Sequence, residues 1–489
     1  MKLSEPSISL SLISHTNVGK TTLARTLLKQ DVGEVFDRPH VTEFSVCYTM
    51  IKSEAGELRL WDTPGFGDTA RLLRRLKMQG NPIGWILTQA WDRFADRPLW
   101  CSQQAVRNVR DQADAVLYLV NAAEDPQEAG YVKIEMEILT WIAKPVVLLL
   151  NQIGPPQSRT DKQAEQKKWR AYLQAFSVVQ EVLSLDAFTR CWIQEDVLLK
   201  AVGKMLPPDK QELHVRLSHE WRERNLRIFH QSMHSLALQL ARACCDRVEL
   251  QKNLQLEEIP FISHLLDIRA PKQISEKQRA MSTLAERLDQ YIRQSTDEMI
   301  EFHGLKGQAA GEIFKRLEND YSTTQPLNEG ISAILGGIIS GALGGLAADI
   351  AAAGLTLGGG VLAGSIIGAL GGKGLAKGYN LVRGENIPYM RWSSDFFLGL
   401  VRSALLRYLA VAHFGRGRGE YTESEHPEFW QNKVVSIVEH RRDEIRSLWE
   451  RGRTTTEPSK LSDKMEQLLT ECAGELLSQL YRGQIGTLY

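Results

Sequence analysis

The sequence has no excess charge of either sign: 59 Lys and Arg residues balance 59 Asp and Glu residues. No block of like charge runs beyond a few positions. Bulk electrostatics therefore gives no reason to expect DNA as a partner, and little to expect RNA. Cysteine is scarce. The six present (Cys47, Cys101, Cys191, Cys244, Cys245 and Cys472) include no C-x-x-C pair, which argues against a zinc site. Six in 489 residues do not make a disulfide scaffold, and they suit a reducing compartment. The opening Met-Lys-Leu-Ser-Glu-Pro lacks the pattern of a secretory leader, so the N-terminal domain is expected to be cytoplasmic. His230 and His234 stand one helical turn apart but lack the glutamate of an H-E-x-x-H motif, so a metal site is not expected there.

What remains is ordinary in bulk and specific in detail. Apolar residues make up 43% and charged residues 24%, and the length allows two or three domains. Ser7-Ile-Ser-Leu-Ser-Leu-Ile13 alternates as a strand does, and Thr22-Leu-Ala-Arg-Thr-Leu-Leu-Lys29 has helical periodicity. Between them runs Ser14-His-Thr-Asn-Val-Gly-Lys-Thr-Thr22. A G-x-x-x-x-G-K-[ST] string between strand and helix is a phosphate-binding loop. Backbone N–H groups across Asn17, Val18, Gly19, Lys20, Thr21 and Thr22 can cradle phosphate. Lys20 would reach the outer phosphates, and the Thr21 hydroxyl would ligate Mg2+. Ser14 stands where the first glycine is usual. A chance Gly-Lys-Thr at a helix start is the plain alternative.

A second motif favours the functional reading. Glu57-Leu-Arg-Leu-Trp-Asp62 alternates into Asp62-Thr-Pro-Gly65, a D-x-x-G string at a strand end. Asp62 would hold Mg2+ through a water, and the Gly65 amide would sense the outermost phosphate. Thr42, before a strand over 44–52, is placed to close over the metal as a switch threonine. Otherwise it is an ordinary loop threonine.

With N-V-G-K-T-T, V-T and D-T-P-G in place, residues 7–205 resemble the Era/EngA-like branch of translation-factor-related P-loop GTPases. The resemblance implies GTP and Mg2+ as ligands and hydrolysis to GDP and phosphate. Two departures shape what is expected. Phe66 follows Gly65 where many small GTPases carry a water-positioning glutamine, so intrinsic turnover should be slow. The catalytic group would then come from elsewhere in the chain, a bound cation or a second protomer, as in a nucleotide-dependent homodimer. Arg71, Arg74 and Arg75 are nearby, although a basic helix face is the simpler role. The family's N-K-x-D string reads Asn151-Gln152-Ile-Gly154 here. Asn151 and Gln152 keep the position, but the carboxylate that pairs with guanine is gone, which leaves guanine against adenine open. After a strand over 178–184, Ala187 matches the loop whose backbone meets the guanine oxygen; Asp186 beside it could supply the missing carboxylate, although a turn cap is the simpler role.

The expected fold is an α/β P-loop NTPase domain with a mostly parallel sheet over residues 1–205. An all-α region should follow, in three parts. Residues 206–325 carry helices over about 210–248, 275–302 and 309–320. Residues 381–489 carry helices near 391–413, 428–451 and 460–481. Between them, 326–380 is a glycine-rich apolar hairpin. Residues 81–100, with Trp85, Trp91 and Trp100, read as an insertion after the switch, either a docking element or a local mini-core. The basic glycine loop at 413–419 reads as a solvated interhelical turn or as a contact for phosphate or lipid head groups.

The hairpin holds an internal repeat, with 334–345 echoed at 361–372. Glycines recur every fourth residue, at Gly337, Gly341 and Gly345 and again at Gly360, Gly364, Gly368 and Gly372. Such spacing lets two helix backbones approach closely. Each arm has about twenty apolar or small residues, enough to span roughly 30 Å of hydrocarbon. Lys315, Arg316, Lys373, Lys377 and Arg383 flank it, consistent with both ends on the cytoplasmic side of the inner membrane. A buried hairpin within a soluble helical domain is the alternative. The resemblance extends to a bacterial family of Era-like GTPases with an uncharacterised α-helical C-terminal domain. Three functions fit. One is a nucleotide switch coupled to a membrane lipid or membrane-protein partner. The others are a soluble scaffold with a degenerate nucleotide site and an Era-like RNA or ribosome assembly factor.

Overall fold

Ile8, Leu10 and Leu12 alternate with Ser9 and Ser11, and both sets are buried. A strand covered on both faces is a central one. The serines tolerate burial because they are bonded: Ser11 Oγ donates to Asn108 Oδ1 at 2.5 Å, and the Ser9 N–H to Asp114 Oδ2 at 2.9 Å. In this computed structural model the described residues are 6–16, 18–28, 44–88, 96–151, 159–185, 191–250, 276–305, 379–383, 388–413, 427–455 and 457–481. They divide into two compact units, Met1–Leu226 with His413–Glu425, and Arg227–Ala412 with His426–Tyr489.

The first unit is the expected α/β fold. In chain order it runs β1 (Ser7–Ser14), α1 (Lys20–Leu28), β2 (Val46–Ser53), β3 (Gly56–Asp62), α2 (Thr69–Lys77), α3 (Pro82–Thr88) and α4 (Arg97–Asp111). It continues with β4 (Ala115–Asn121), α5 (Gly130–Ile142), β5 (Val146–Asn151), α6 (Arg159–Tyr172), β6 (Val179–Ser184) and α7 (Trp192–Met205). The sheet order is β2-β3-β1-β4-β5-β6. β2 pairs antiparallel with β3, and every other pairing is parallel. The fully apolar runs 115–120 and 146–150 are buried to the last residue, as parallel strands covered by helices must be. α8 (Pro208–Cys245) starts here. Lys210 fixes its first turn, its ammonium donating to both Asp114 oxygens at 2.7 Å and to the Ser7 carbonyl at 3.1 Å.

The second unit is helical, with one addition. It holds the later part of α8, then α9 (Glu276–Phe302), α10 (Ser394–Ala412), α11 (Pro427–His440), α12 (Arg442–Thr454) and α13 (Ser459–Leu480). Three short strands, β7 (Val248–Glu249), β8 (Tyr379–Arg383) and β9 (Pro388–Trp392), form an antiparallel sheet in the order β7-β9-β8. The sequence had shown no strand alternation in this region, and β9 takes residues expected to begin a helix. The single helix expected over 428–451 is two, broken at Arg441. Arg407 on α10 is buried at the centre, donating to Ser295 Oγ at 3.0 Å, Thr296 Oγ1 at 2.8 Å and the Ile292 carbonyl at 3.2 Å on α9.

The expected helix at 309–320, residues 326–378 of the glycine-rich hairpin and the loop 414–419 lie outside the described residues, while Tyr379 and Asn380, expected to end the hairpin, belong to β8. Among the described residues, no helix is long and apolar enough to cross a membrane.

Candidate nucleotide site

The carboxyl ends of β1, β3, β4 and β5 lie along one edge of the sheet. Strand order reverses at β1, with β3 on one side and β4 on the other. Open α/β sheets bind ligands at such a point. The chain leaves β1 at Ser14 and enters α1 at Lys20. The turn closes with Gly19 at φ 86°, a conformation that side-chain-bearing residues rarely adopt.

Lys20 is 8% exposed, and its ammonium donates to Ser14 Oγ at 3.0 Å. The serine in the glycine position thus gives the lysine an acceptor. Burial pushes the Lys20 pKa down, and the Asp62 and Glu135 carboxylates pull it back up. Thr21 Oγ1 donates to Asp62 Oδ2 at 2.8 Å. Asp62 is 2% exposed, and its Oδ1 has no hydrogen-bond partner among the described residues. Burial pushes the Asp62 carboxyl above its ordinary range, against the pull of Lys20, the Thr21 bond and Arg25. A hydroxyl, a carboxylate and a spare buried oxygen are hard donors that suit Mg2+. Among the described residues, no cluster of three or more His, Cys, Asp or Glu side chains is placed to hold a metal. His234 bonds Glu466 at 2.7 Å.

Asn151 ends β5, and its Nδ2 donates to the Val18 carbonyl at 2.9 Å. It braces the phosphate loop across the sheet edge. Thr22 is buried in the first turn of α1. Asn17, Thr42, Gln152 and Ala187 lie outside the described residues, as do Gly154 and Asp186.

The D-x-x-G segment packs directly on the phosphate loop. A Cβ on Gly65 would sit 3.0 Å from Lys20 Nζ and 3.2 Å from Thr16 Cα, so only glycine fits without displacement. The Phe66 N–H donates to the Ser14 carbonyl at 2.9 Å, which pairs His15 with Phe66 as a parallel bridge. The Phe66 side chain points inward, wholly buried in a cluster with Ile13, Leu72, Leu76, Leu99 and Val106. The position belongs to the core, where a glutamine amide would have no place beside these side chains.

Sequence reasoning missed the groups around this segment. The helix α4 that begins in the 81–100 stretch runs to Asp111, and its start contacts the D-x-x-G segment on one side and Phe44 on the other. Ser102 Oγ accepts the Gly67 N–H at 3.1 Å. Pro98 packs on Gly67 so closely that a Cβ there would meet it at 2.6 Å. Asp96 takes Arg71 with both oxygens, at 2.8 and 3.4 Å. The Trp100 ring meets Phe44 edge-on at 5.2 Å. Behind the loop, His15 Nδ1 bonds Glu135 Oε1 at 2.7 Å. Trp85 and Trp100 do pack here, whereas Trp91 lies outside the described residues. Glu135 carried a signal that went unread, since it falls with Val132, Met136 and Leu139 on the apolar face of its helix.

Two segments of the chain match known families. Residues 9–152 match the family described as 50S ribosome-binding GTPase, and residues 173–481 match the domain of unknown function DUF3482. GTPase Era of Clostridium botulinum (strain Kyoto / Type A2) is 25% identical over 202 residues, 41% of this chain and 56% of that protein. GTPase Era of Geobacter sp. (strain M21) is 28% identical over 145 residues, 29% of this chain and 39% of that protein. The chain thus spans about half the length of the curated relatives it matches. Era solved in complex with MgGDPNP and nucleotides 1506-1542 of 16S ribosomal RNA is similar at 17% identity and a TM-score of 0.30, over 41% of this chain and 57% of that one. With residues 173–481 matched as one unit behind an Era-like P-loop GTPase domain, the chain belongs to the DUF3482 family.

Proposed function

We propose that this chain is a nucleotide-dependent switch that binds GTP with Mg2+ and slowly hydrolyses it with water to GDP and phosphate. The observation that carries the reading is the direct seating of Gly65 against Lys20 and Thr16, with Phe66 bridged to Ser14. This seating puts the D-x-x-G backbone beside the lysine that would meet the outermost phosphate, so gain or loss of that phosphate would be felt there. Lys20 and the loop N–H groups would bind phosphate. Thr21 and Asp62, with Thr42, would hold Mg2+, which neutralises charge on the phosphate oxygens when bound. Asn17, Val18, Gly19 and Thr22 complete the loop. Asn151, Gln152 and Ala187 would lie at the base.

The switch reaches the rest of the unit through α4, whose first turns hold Gly67, Arg71 and Phe44. The helical region is the proposed effector, and the 326–380 hairpin its membrane-contacting part at the cytoplasmic face. A nucleotide-dependent homodimer is the proposed source of the missing catalytic group. The Era similarity of the N-terminal part supports a second reading, an RNA or ribosome assembly factor, against which the balanced charge weighs.

Competition between GTP and ATP for wild type and Lys20→Ala tests the site. Tight GTP binding lost in Lys20→Ala is expected, and a preference for ATP overturns the base assignment. Flotation with anionic liposomes tests the effector. Failure to float with GTP, GDP or no nucleotide removes the membrane reading, and salt-sensitive RNA binding would put the second in its place.

A further inference from the structure

α5 covers the sheet with Val132, Met136, Ile138 and Leu139, all buried. Among them stands Glu135, also 0% exposed. A carboxylate in such company persists only where partners satisfy it. Glu135 has one partner for each oxygen. Tyr118 OH on β4 donates to Oε2 at 2.5 Å, and His15 Nδ1 bonds Oε1 at 2.7 Å. Burial pushes the Glu135 carboxyl up, and His15, Tyr118 and Lys20 bring it back down. Tyr131, one turn earlier on α5, lays its ring on the imidazole with centroids 4.4 Å apart, and its hydroxyl is held by Glu124 at 2.8 Å. The imidazole is therefore fixed by a bond at Nδ1 and by a ring against its face.

Two contacts thus meet at one residue of the phosphate loop. The backbone of His15 is bridged to Phe66, and its side chain is tied to α5. A phosphate loop works by aiming backbone N–H groups, so its affinity depends on how firmly its path is held. We propose that Glu135 is a positioning residue for nucleotide binding, holding the first half of the loop through His15. The proposal rests on the nucleotide-binding reading above. Tyr118 supplies the internal control, because it bonds the same carboxylate from β4 and not from the phosphate loop.

The test measures GDP affinity by a fluorescent GDP analogue on the full chain, with thermal melting alongside. Glu135→Ala and His15→Ala are each expected to weaken GDP binding about tenfold or more, the loss of the one partly buried hydrogen bond that ties the loop to α5. The double variant should bind no more weakly than either single one, because both remove the same link. Glu135→Gln keeps an acceptor for His15 and a donor for Tyr118, and should recover wild-type affinity to within about threefold of it. Tyr118→Phe should lower the melting temperature and leave affinity unchanged. Wild-type affinity in His15→Ala, or additive losses in the double variant, overturns the proposal. His15 is partly exposed, so its variant reports even if Glu135→Ala does not fold. A wild type that binds neither GDP nor GTP takes the nucleotide reading down with it, whereas wild-type affinity in His15→Ala sinks Glu135 alone.

Discussion

Replacing Phe66 with glutamine would install the residue that positions water in many small GTPases. The structure expects a loss instead of a gain. Phe66 is wholly buried among Ile13, Leu72, Leu76 and Leu99, and its N–H is committed to the Ser14 carbonyl. Removing the buried phenyl forfeits about 2–3 kcal/mol of transfer free energy. An amide left there without partners costs about 1–3 kcal/mol more. The sum, about 3–6 kcal/mol, is a large part of the 5–15 kcal/mol that typically holds a domain together. Urea and thermal unfolding of the full chain, followed by tryptophan fluorescence, would register it as an earlier first transition. Two units make a single two-state fit inappropriate. Single-turnover GTP hydrolysis should not accelerate. Phe66→Leu, apolar and close in volume, should lose less than about 1.5 kcal/mol. A Phe66→Gln variant as stable as wild type and faster in hydrolysis would refute the core assignment, because the side chain would then have to reach the phosphates.

Three further outcomes are expected. Gly67→Ala places a Cβ 2.6 to 2.8 Å from Pro98 atoms, including its backbone oxygen, and such overpacking costs about 1–3 kcal/mol. Amide hydrogen exchange should speed up across Arg97–Asp111, and unchanged exchange there would detach α4 from the switch. Asp62→Asn keeps an acceptor for Thr21 and removes the charge, so calorimetry should show the Mg2+-dependent gain in GDP affinity reduced about tenfold or more, roughly the worth of one charged ligand bond; an intact Mg2+ response would exclude Asp62 from the metal site. Burial pushes the Cys244 and Cys472 thiols up to about 12, so at pH 8 only about one in ten thousand is thiolate. Cys47, exposed on β2, should alkylate first and faster as pH rises, and equal labelling of Cys244 would mean that the helical core opens readily.

The phosphate half of the candidate site was legible because the residues it would use are local. A glycine at positive φ, a lysine opening a helix and a carboxylate ending a strand all fall within two short strings. The parallel strands were legible for a related reason, since burial on both faces leaves unbroken apolar runs such as 146–150. What escaped the sequence depends on distant partners. β7 is two residues long and pairs with Tyr389 and Met390 across some 140 residues of chain. No period can announce such a strand. The break at Arg441 has no glycine or proline beside it. Its side chain instead reaches Glu471 at 2.7 Å and Glu444 at 3.1 Å. Glu135 shares the apolar face of its helix with Val132, Met136 and Leu139, which marks it as a buried carboxylate, but its partner His15 is 120 residues away and only the fold supplies it.

How strongly α4 grips the switch bears on whether the grip can carry a signal. The Gly67–Ser102 bond contributes about 0.5–1.5 kcal/mol, and the half-exposed Arg71–Asp96 pair between 0 and about 1 kcal/mol. The Phe44–Trp100 edge contact adds about 0.5–1.5 kcal/mol. Together these amount to about 1–4 kcal/mol. Free-energy couplings between sites in switching proteins are typically about 1–3 kcal/mol. A much stronger clamp would hold Gly65 against Lys20 whatever nucleotide was bound, and a much weaker one would let the segment move without telling α4. The contacts to the phosphate loop run through backbone, at Phe66 and Gly65, while those to α4 run mainly through side chains. In the proposed switch, then, the sensing end is fixed by the fold, and the reporting end at Asp96, Trp100 and Ser102 can be retuned one residue at a time.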